Sequence, residues 1–166
     1  MVKVSIVICT HNRAERLAFA LDSLLHIRTE ESWEAIIVDN ASDDRTADVI
    51  AEYVRCNPQI SYIFEPQKGL GAARDTAWRH ARGEVISFTD DDCYVDNNFV
   101  DQVVQAFRER PNASYLGGRI LLHDATDAPV TILTQSKPFD LPPEIYVAAG
   151  AIQGANLSFR REVLEA

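Results

Sequence analysis

Runs of apolar residues alternate with stripes of helical spacing along this chain. Residues 2–9, Val-Lys-Val-Ser-Ile-Val-Ile-Cys, are rich in β-branched side chains and almost continuously apolar, the pattern of a strand covered on both faces. Asn12 with Glu15 three positions on has the form of a capping box, and Leu17, Leu21, Leu24 and Leu25 mark one face of the helix it would open. Residues 35–38 are a second buried strand. Residues 42–45 turn the chain into a helix with Val49, Ile50, Tyr53 and Val54 on its inner face. Residues 60–64 predict a third strand, ended by Pro66. A glycine-bearing turn leads to a helix over 70–81, and Gly83 suits the left-handed position after its end. Residues 85–88 are a fourth strand. Asp96 or Asn97 caps a helix with Phe99, Val103 and Phe107 on one side, stopped by Pro111, and 115–122 is a fifth strand.

This alternation predicts an α/β fold, a parallel or mostly parallel sheet with helices on both faces. Beyond Leu122 the pattern loosens. Residues 123–146 carry Pro129, Pro138, Pro142 and Pro143 without sustained periodicity and are expected as a long loop over the sheet, a kind of segment that is often functional. Residues 155–160 are expected to return as a strand, and 161–166 to begin a helix.

In open α/β sheets ligands bind beyond the carboxyl ends of the strands. Each early strand here ends in a polar or acidic group, Thr10, Asp39, Glu65 and Asp90 in turn, and all four ends fall on one edge of such a sheet. Asp90-Asp91-Asp92 is the strongest local signal. Adjacent carboxylates after a buried strand raise one another's pKa unless a cation joins them. Mg²⁺ or Mn²⁺ would resolve that repulsion, since hard cations take oxygen ligands from one or two carboxylates plus water and phosphates. Alternation places Asp90 and Asp92 on one side of the chain and Asp91 on the other. Asp39 is suited to accept hydrogen bonds from a base or from ribose hydroxyls, or to cap the helix that follows. Gly69-Leu70-Gly71-Ala72-Ala73-Arg74 is a glycine-rich turn at a helix start, where anions are favoured. It follows the third strand and lacks the third glycine of a dinucleotide fingerprint, which disfavours a nicotinamide-dependent oxidoreductase. Arg74 has three readings: partner of a site carboxylate, partner of a nucleotide, or plain surface residue. His11 and His123 are further polar candidates, although a lone histidine is more often structural or solvated.

Charge and composition narrow the classes. The chain has 166 residues, a length for one compact domain, and its 46% hydrophobic and 25% charged residues are those of an ordered globular protein. With 16 Lys and Arg against 25 Asp and Glu the formal charge is −9, which opposes nucleic-acid binding through the phosphate backbone. An acidic chain that takes up a diphosphate needs a divalent cation or local basic groups. Cys9, Cys56 and Cys93 are too few and too scattered for a disulfide framework or a zinc site, which fits a reducing compartment. No stretch approaches the ~20 apolar residues of a membrane span, so the chain is expected in the cytoplasm, free or loosely attached at the inner membrane face.

Five segments in this order resemble family 2 glycosyltransferases of the GT-A fold: Val4-Ser5-Ile6-Val7-Ile8-Cys9-Thr10-His11-Asn12-Arg13, Val38-Asp39-Asn40-Ala41-Ser42-Asp43-Asp44, Gly69-Leu70-Gly71-Ala72-Ala73-Arg74-Asp75, Asp90-Asp91-Asp92 and Gly154-Ala155-Asn156-Leu157-Ser158-Phe159-Arg160-Arg161. The resemblance covers nearly the whole chain. It implies a Rossmann-like GT-A sheet, a nucleotide-sugar donor that is most often UDP-linked, and a divalent metal, Mg²⁺ or Mn²⁺, at a D-x-D motif. It implies that Thr10, Asn12, Arg13, Asp39, Gly69, Arg74, Asp90 and Asp91 form the nucleotide-sugar site, with Asp39 toward the base, Asp90 toward the ribose and Asp92 toward the metal and diphosphate. The acceptor would be a glycan, a lipid-linked molecule or a small molecule, attacking through a hydroxyl with inversion at the anomeric carbon and needing a general base.

The family places that base beyond the Asn-Leu-Ser-Phe-Arg-Arg segment, and Glu162 and Glu165 fall too early in the pattern to take the role. The chain is therefore expected to be the donor-binding part of a longer enzyme. Three rivals share features with this reading. A nucleotidylyltransferase would need a basic, glycine-rich first loop where this chain has Thr10-His11-Asn12-Arg13. A phosphorylated receiver domain would lack the segment from Asn156 to Arg161. A non-catalytic nucleotide-sugar binding module stays open for a chain without the base.

Overall fold

Alternation along the first strand decides where the helices go. A computed structural model describes residues 1–141, 147 and 150–166. Its elements are β1 (Val4–Thr10), α1 (Ala14–Leu24), β2 (Trp33–Asp39), α2 (Thr46–Cys56), β3 (Ile60–Phe64), α3 (Leu70–His80), β4 (Val85–Asp90), α4 (Phe99–Glu109), β5 (Tyr115–Gly117), a 3-10 turn (Gly154–Asn156), β6 (Leu157–Arg160) and α5 (Arg161–Leu164). Val4, Ile6 and Ile8 of β1 pack with Leu17, Leu21 and Leu24 of α1, Ile50 of α2 and Val100, Val103 and Phe107 of α4. Val7, between them, faces the other way with Ile36, Val38, Ile86 and Phe88, against Ala73 and Ala77 of α3. The small alanines let α3 approach closely. Both faces of the sheet are therefore covered, which is why its central strands read as continuous apolar runs.

The sheet has six strands in the order β3-β2-β1-β4-β6-β5. β1 pairs in parallel with β2 and β4, and β2 with β3, while β6 runs antiparallel to both β4 and β5. The chain works outward from β1 to β3 and then returns to the other side of β1 as β4, so β1 and β4 flank the point where strand order reverses. Register aligns Thr10 with Asp39 and Cys9 with Asp90 at the carboxyl edge.

The opposite edge is fastened by Glu34. Its buried carboxylate accepts from Ser5 Oγ (2.7 Å), from the Arg82 backbone N–H (2.7 Å) and from Arg82 Nε (2.7 Å). Burial alone would push this carboxyl up, but the hydrogen bonds from Arg82 and Ser5 outweigh it and hold Glu34 below the usual range.

Several local expectations are corrected. Arg13, not Asn12, occupies the N-cap of α1 with no side-chain cap, so the capping box with Glu15 does not form. Asn12 instead takes a left-handed conformation, φ 54°, and the helix start is satisfied from the neighbouring loop, where Asp44 Oδ2 accepts from the Ala14 N–H (3.3 Å). Leu25 follows the end of α1 and is exposed, because the helix stops before it can return to the core. Neither Asp96 nor Asn97 caps α4; its N-cap is Asn98, and Asp96 Oδ1 accepts from the Asn98 N–H (3.3 Å). Gly83 does not adopt the left-handed conformation. It is small because a Cβ there would lie 2.5 Å from Ser5 N.

The fifth strand ends at Gly117 instead of running to 122. Its partner β6 begins at Leu157, opposite Gly117, so no ladder exists further on. Residues 155 and 156, expected as strand, belong to the 3-10 turn (Gly154–Asn156), and past the end of β5 Ile120 and Leu133 make an isolated antiparallel bridge. Of the long loop expected over 123–146, residues 142–146 lie outside the described residues.

Candidate functional site

Three loops at the carboxyl edge lock into one another before any functional group is placed. Asn12 donates its N–H to Ser42 Oγ (2.9 Å) and accepts from the Asp43 N–H at Oδ1 (2.8 Å). Arg13 donates its N–H to Thr46 Oγ1 (3.2 Å). Asn40, nearly buried, uses every hydrogen-bonding group it has. Its Nδ2 donates to Glu65 O (3.1 Å) and Gln67 O (2.7 Å), its Oδ1 accepts from the Gly69 N–H (2.7 Å), its N–H donates to Thr10 O (2.8 Å), and its O lies 2.8 Å from His11 Nδ1. Gly69 joins this knot at φ 135°, a conformation an L side chain rarely takes. One asparagine thus ties the ends of β1, β2 and β3 to the head of α3.

The acidic run leaves β4 at Asp90 and turns at once, so the expected strand alternation does not carry through Asp91 and Asp92. Asp91 turns inward, where it is buried, accepting from Thr10 Oγ1 at Oδ2 (2.7 Å) and from Arg13 Nη1 at Oδ1 (3.1 Å). Asp90 and Asp92, with Cys93, bring ligand atoms within 4.8 Å of one another. Arg13 Nη1 also donates to Asp92 Oδ2 (2.8 Å), Arg16 Nη1 lies 3.9 Å from the same oxygen, and Arg74 Nη2 lies 3.5 Å from Asp90 Oδ1. Burial pushes the Asp90 carboxyl up; Arg74 opposes this, and Asp92 and Asp91 add to it. Burial likewise raises the thiols of Cys9, to about 12, and Cys93, to about 11, so both are protonated at neutral pH and neither is a ready nucleophile.

A cleft of about 320 Å³ opens between β1 and β4, lined by Thr10, His11, Arg13, Asn40, Asp90, Asp91 and Asp92 together with Cys9, Leu70 and Ala73. A second, larger hollow of about 1450 Å³ lies under residues 116–132, and Asp92 is on the walls of both. The oxygen-rich pair Asp90 and Asp92 suits a hard cation such as Mg²⁺ or Mn²⁺, so the donor set fits the metal that the sequence implies.

The sequence candidates thus divide. Thr10, Arg13, Asp90, Asp91 and Asp92 meet around the cleft. Arg74 stands behind it, holding Asp90 and Gly154 O (3.4 Å). Gly69 and Asn12 shape the loops. Asp39 is buried at the end of β2, where Oδ1 accepts from the Ser42 N–H (2.9 Å) and Oδ2 from the Tyr62 hydroxyl (3.3 Å). Glu162 and Glu165 lie far from this edge. Arg160 pairs with Val85, the first residue of β4, and the Arg161 N–H donates to Glu84 O (2.9 Å), so α5 sits at the amino edge. Sequence reasoning missed Asn40, Cys93 and Arg16. Only the place of Asn40 directly after a strand-end aspartate could have flagged it.

The family model for "Glycosyl transferase family 2" matches residues 5–166. EpsH of Bacillus subtilis is 27% identical over 168 residues, covering 98% of this chain and 48% of EpsH. Among solved structures, mannosyltransferase PcManGT from Pyrobaculum calidifontis, in complex with GDP-Man and Mn²⁺, superposes with a TM-score of 0.73 at 20% identity, over 98% of this chain and 46% of its own. S. aureus TarS 1-349 in complex with UDP-GlcNAc gives 0.75 at 21%, over 99% of this chain and 47% of its own. At such identities the likeness establishes the fold, that of the GT-A neighbours. The chain spans about half the length of each of these proteins.

Proposed function

The chain belongs to glycosyl transferase family 2, and from that premise we propose that it provides the donor site for transfer of a sugar from a nucleotide sugar, UDP-linked, to an acceptor hydroxyl with inversion. One observation carries this reading: Thr10, Arg13 and the Asp90–Asp92 run converge on a single cleft at the reversal of strand order, where α/β sheets bind nucleotides. The donors bound by PcManGT and TarS, GDP-Man and UDP-GlcNAc, support the substrate class.

In this reading the cleft takes the nucleotide diphosphate, Arg13 offers it a guanidinium, and the start of α3, which has no side-chain cap among the described residues, lies beside it at Leu70. Asp39 and Asn12 line the nucleoside end, Asp90 faces the ribose, and Arg74 keeps Asp90 in place. Asp91 orients Arg13 and Thr10. Asp92, with Asp90, would hold Mg²⁺ or Mn²⁺, which when bound supplies positive charge to the leaving diphosphate. The acceptor hydroxyl attacks the anomeric carbon from the face opposite the diphosphate. The new glycosidic bond forms as the bond to the diphosphate oxygen breaks, and the hydroxyl proton passes to a general base. That base comes from beyond Ala166, a reading supported by relatives about twice as long and by the position of Glu162 and Glu165 at the far edge of the sheet.

Calorimetric titration of UDP, GDP and ADP with and without Mn²⁺ tests the proposal. UDP is expected to bind selectively, to need the metal, and to lose at least about tenfold in affinity in Asp92→Asn, the worth of one charged contact. A folded protein that binds none of the three under any metal condition would overturn it.

A further inference from the structure

Arg13 and a divalent cation have the same carboxylate to bind. A single nitrogen, Nη1, donates both to Asp92 Oδ2 (2.8 Å) and to Asp91 Oδ1 (3.1 Å). Asp92 belongs to the Asp90–Asp92–Cys93 group whose ligand atoms cluster within 4.8 Å, so the guanidinium stands on the carboxylate best placed to take a metal. The surrounding charge is already matched: Asp90, Asp91 and Asp92 face Arg13, Arg16 and Arg74, each guanidinium within 4 Å of one of these carboxylates. A dication added here meets three carboxylates already paired with three guanidiniums, and its uptake is favoured when a guanidinium withdraws or an anion arrives with it.

Arg13 is the group built to withdraw. Its side chain is 45% exposed, and among the described residues its only hydrogen bonds are those to Asp91 and Asp92. Its backbone is fixed, because Asn12 is clasped by Ser42 and Asp43 and the Arg13 N–H is held by Thr46, so the guanidinium can swing about a stationary root. Thr10 Oγ1 stays on Asp91 Oδ2 when the guanidinium leaves Asp92. The head group also lines the cleft into which a diphosphate would enter.

We propose that Arg13 is a positioning switch: guanidinium and divalent cation are alternative partners of Asp92, and a diphosphate entering the cleft draws Arg13 off that carboxylate, so that cation and diphosphate bind cooperatively. The inference rests on the donor-site reading above and adds the order it imposes. The cation alone binds weakly, and each ligand tightens the other by the same factor.

The test follows free Mn²⁺ by electron paramagnetic resonance, first with Mn²⁺ as the sole ligand and then with UDP present. Without nucleotide, Arg13→Gln is expected to bind Mn²⁺ about tenfold more tightly than wild type, and the factor by which UDP tightens Mn²⁺ binding falls by a similar amount. Arg16→Gln removes the same charge from a group with no hydrogen bond to Asp92, and is expected to change Mn²⁺ affinity less than about twofold. An Arg16→Gln effect equal to that of Arg13→Gln would assign the result to bulk charge and overturn the switch. So would a folded Arg13→Gln protein whose affinity for Mn²⁺ alone is unchanged or lower. Should Arg13→Gln not fold, Arg13→Met decides: it keeps the aliphatic stem without charge or donor, so Mn²⁺ alone binds more tightly than to wild type, and unchanged or weaker binding overturns the proposal. Mn²⁺ that binds wild type with UDP while Arg13→Gln gains nothing removes only the switch. Mn²⁺ that binds none of these proteins, with or without UDP, overturns the metal-dependent donor site and the switch with it.

Discussion

Asn40 holds more of the carboxyl edge together than any acidic residue there, although it carries no charge. Its amide spans Glu65, Gln67 and Gly69, and its backbone is bonded to Thr10 and His11. Asn40→Ala leaves two carbonyls and one N–H without their partner in a part-buried setting, and is expected to cost about 2 to 4 kcal/mol in urea unfolding, with weaker nucleotide binding as the loops separate. Asn40→Asp is expected to be no better, because a carboxylate has no N–H for the Glu65 and Gln67 carbonyls. Only part of this was legible from residue types. Aspartates after strands announce a polar edge, whereas an asparagine that bonds across 25 to 29 positions looks like any turn residue until the strands are side by side.

At the scale of elements, hydrophobic pattern located every strand and α-helix, but it stopped short of the carboxyl ends. β1, β2 and β4 run on to Thr10, Asp39 and Asp90 because ladder hydrogen bonds continue past the last apolar side chain. β5 erred the other way. Its apolar residues continue to Leu122, but β6 offers no partner beyond Leu157, and a strand exists only where another pairs with it. The amino edge supplies a prediction of its own. Glu34→Gln keeps the shape and loses the charge-assisted bonds from Arg82, and is expected to cost about 2 kcal/mol at pH 7. Since folding holds the Glu34 carboxyl below its usual range, that contribution is complete above the unfolded value of about 4.3 and fades as pH falls through the lower folded value. The stability gap between wild type and Glu34→Gln, measured by urea unfolding across pH, is therefore expected to close below about pH 4.

Across the whole molecule the two edges of one sheet divide the work. Glu34, Ser5, Arg82 and Gly83 fasten the amino edge, and the cleft with its arginines and aspartates occupies the carboxyl edge. Variants should separate accordingly. Glu34→Gln is expected to lower Tm and leave UDP affinity in the presence of Mn²⁺ within about twofold, since sites this far apart with no shared partners act independently. Asp92→Asn is expected to do the reverse, weakening binding while shifting Tm little, because the ion pair it loses with Arg13 is solvent-exposed on both sides. Calorimetry of both variants checks the division.

The order of apolar runs by itself determined an α/β sheet covered on both faces, and the placing of Thr10, Asp39 and Asp90 at strand ends determined which edge would be polar, because both follow from the two-residue period of a strand and the direction of the chain. The five ordered segments carried the family. Tertiary structure alone decided that β4 returns beside β1, that Asp91 turns to Thr10 and Arg13 while Asp39 accepts from Ser42 and Tyr62, and that Arg13 stands on Asp92. Those outcomes depend on contacts between residues far apart in the chain, up to 81 positions for Thr10 and Asp91, and no local pattern encodes which of several polar partners a side chain will meet.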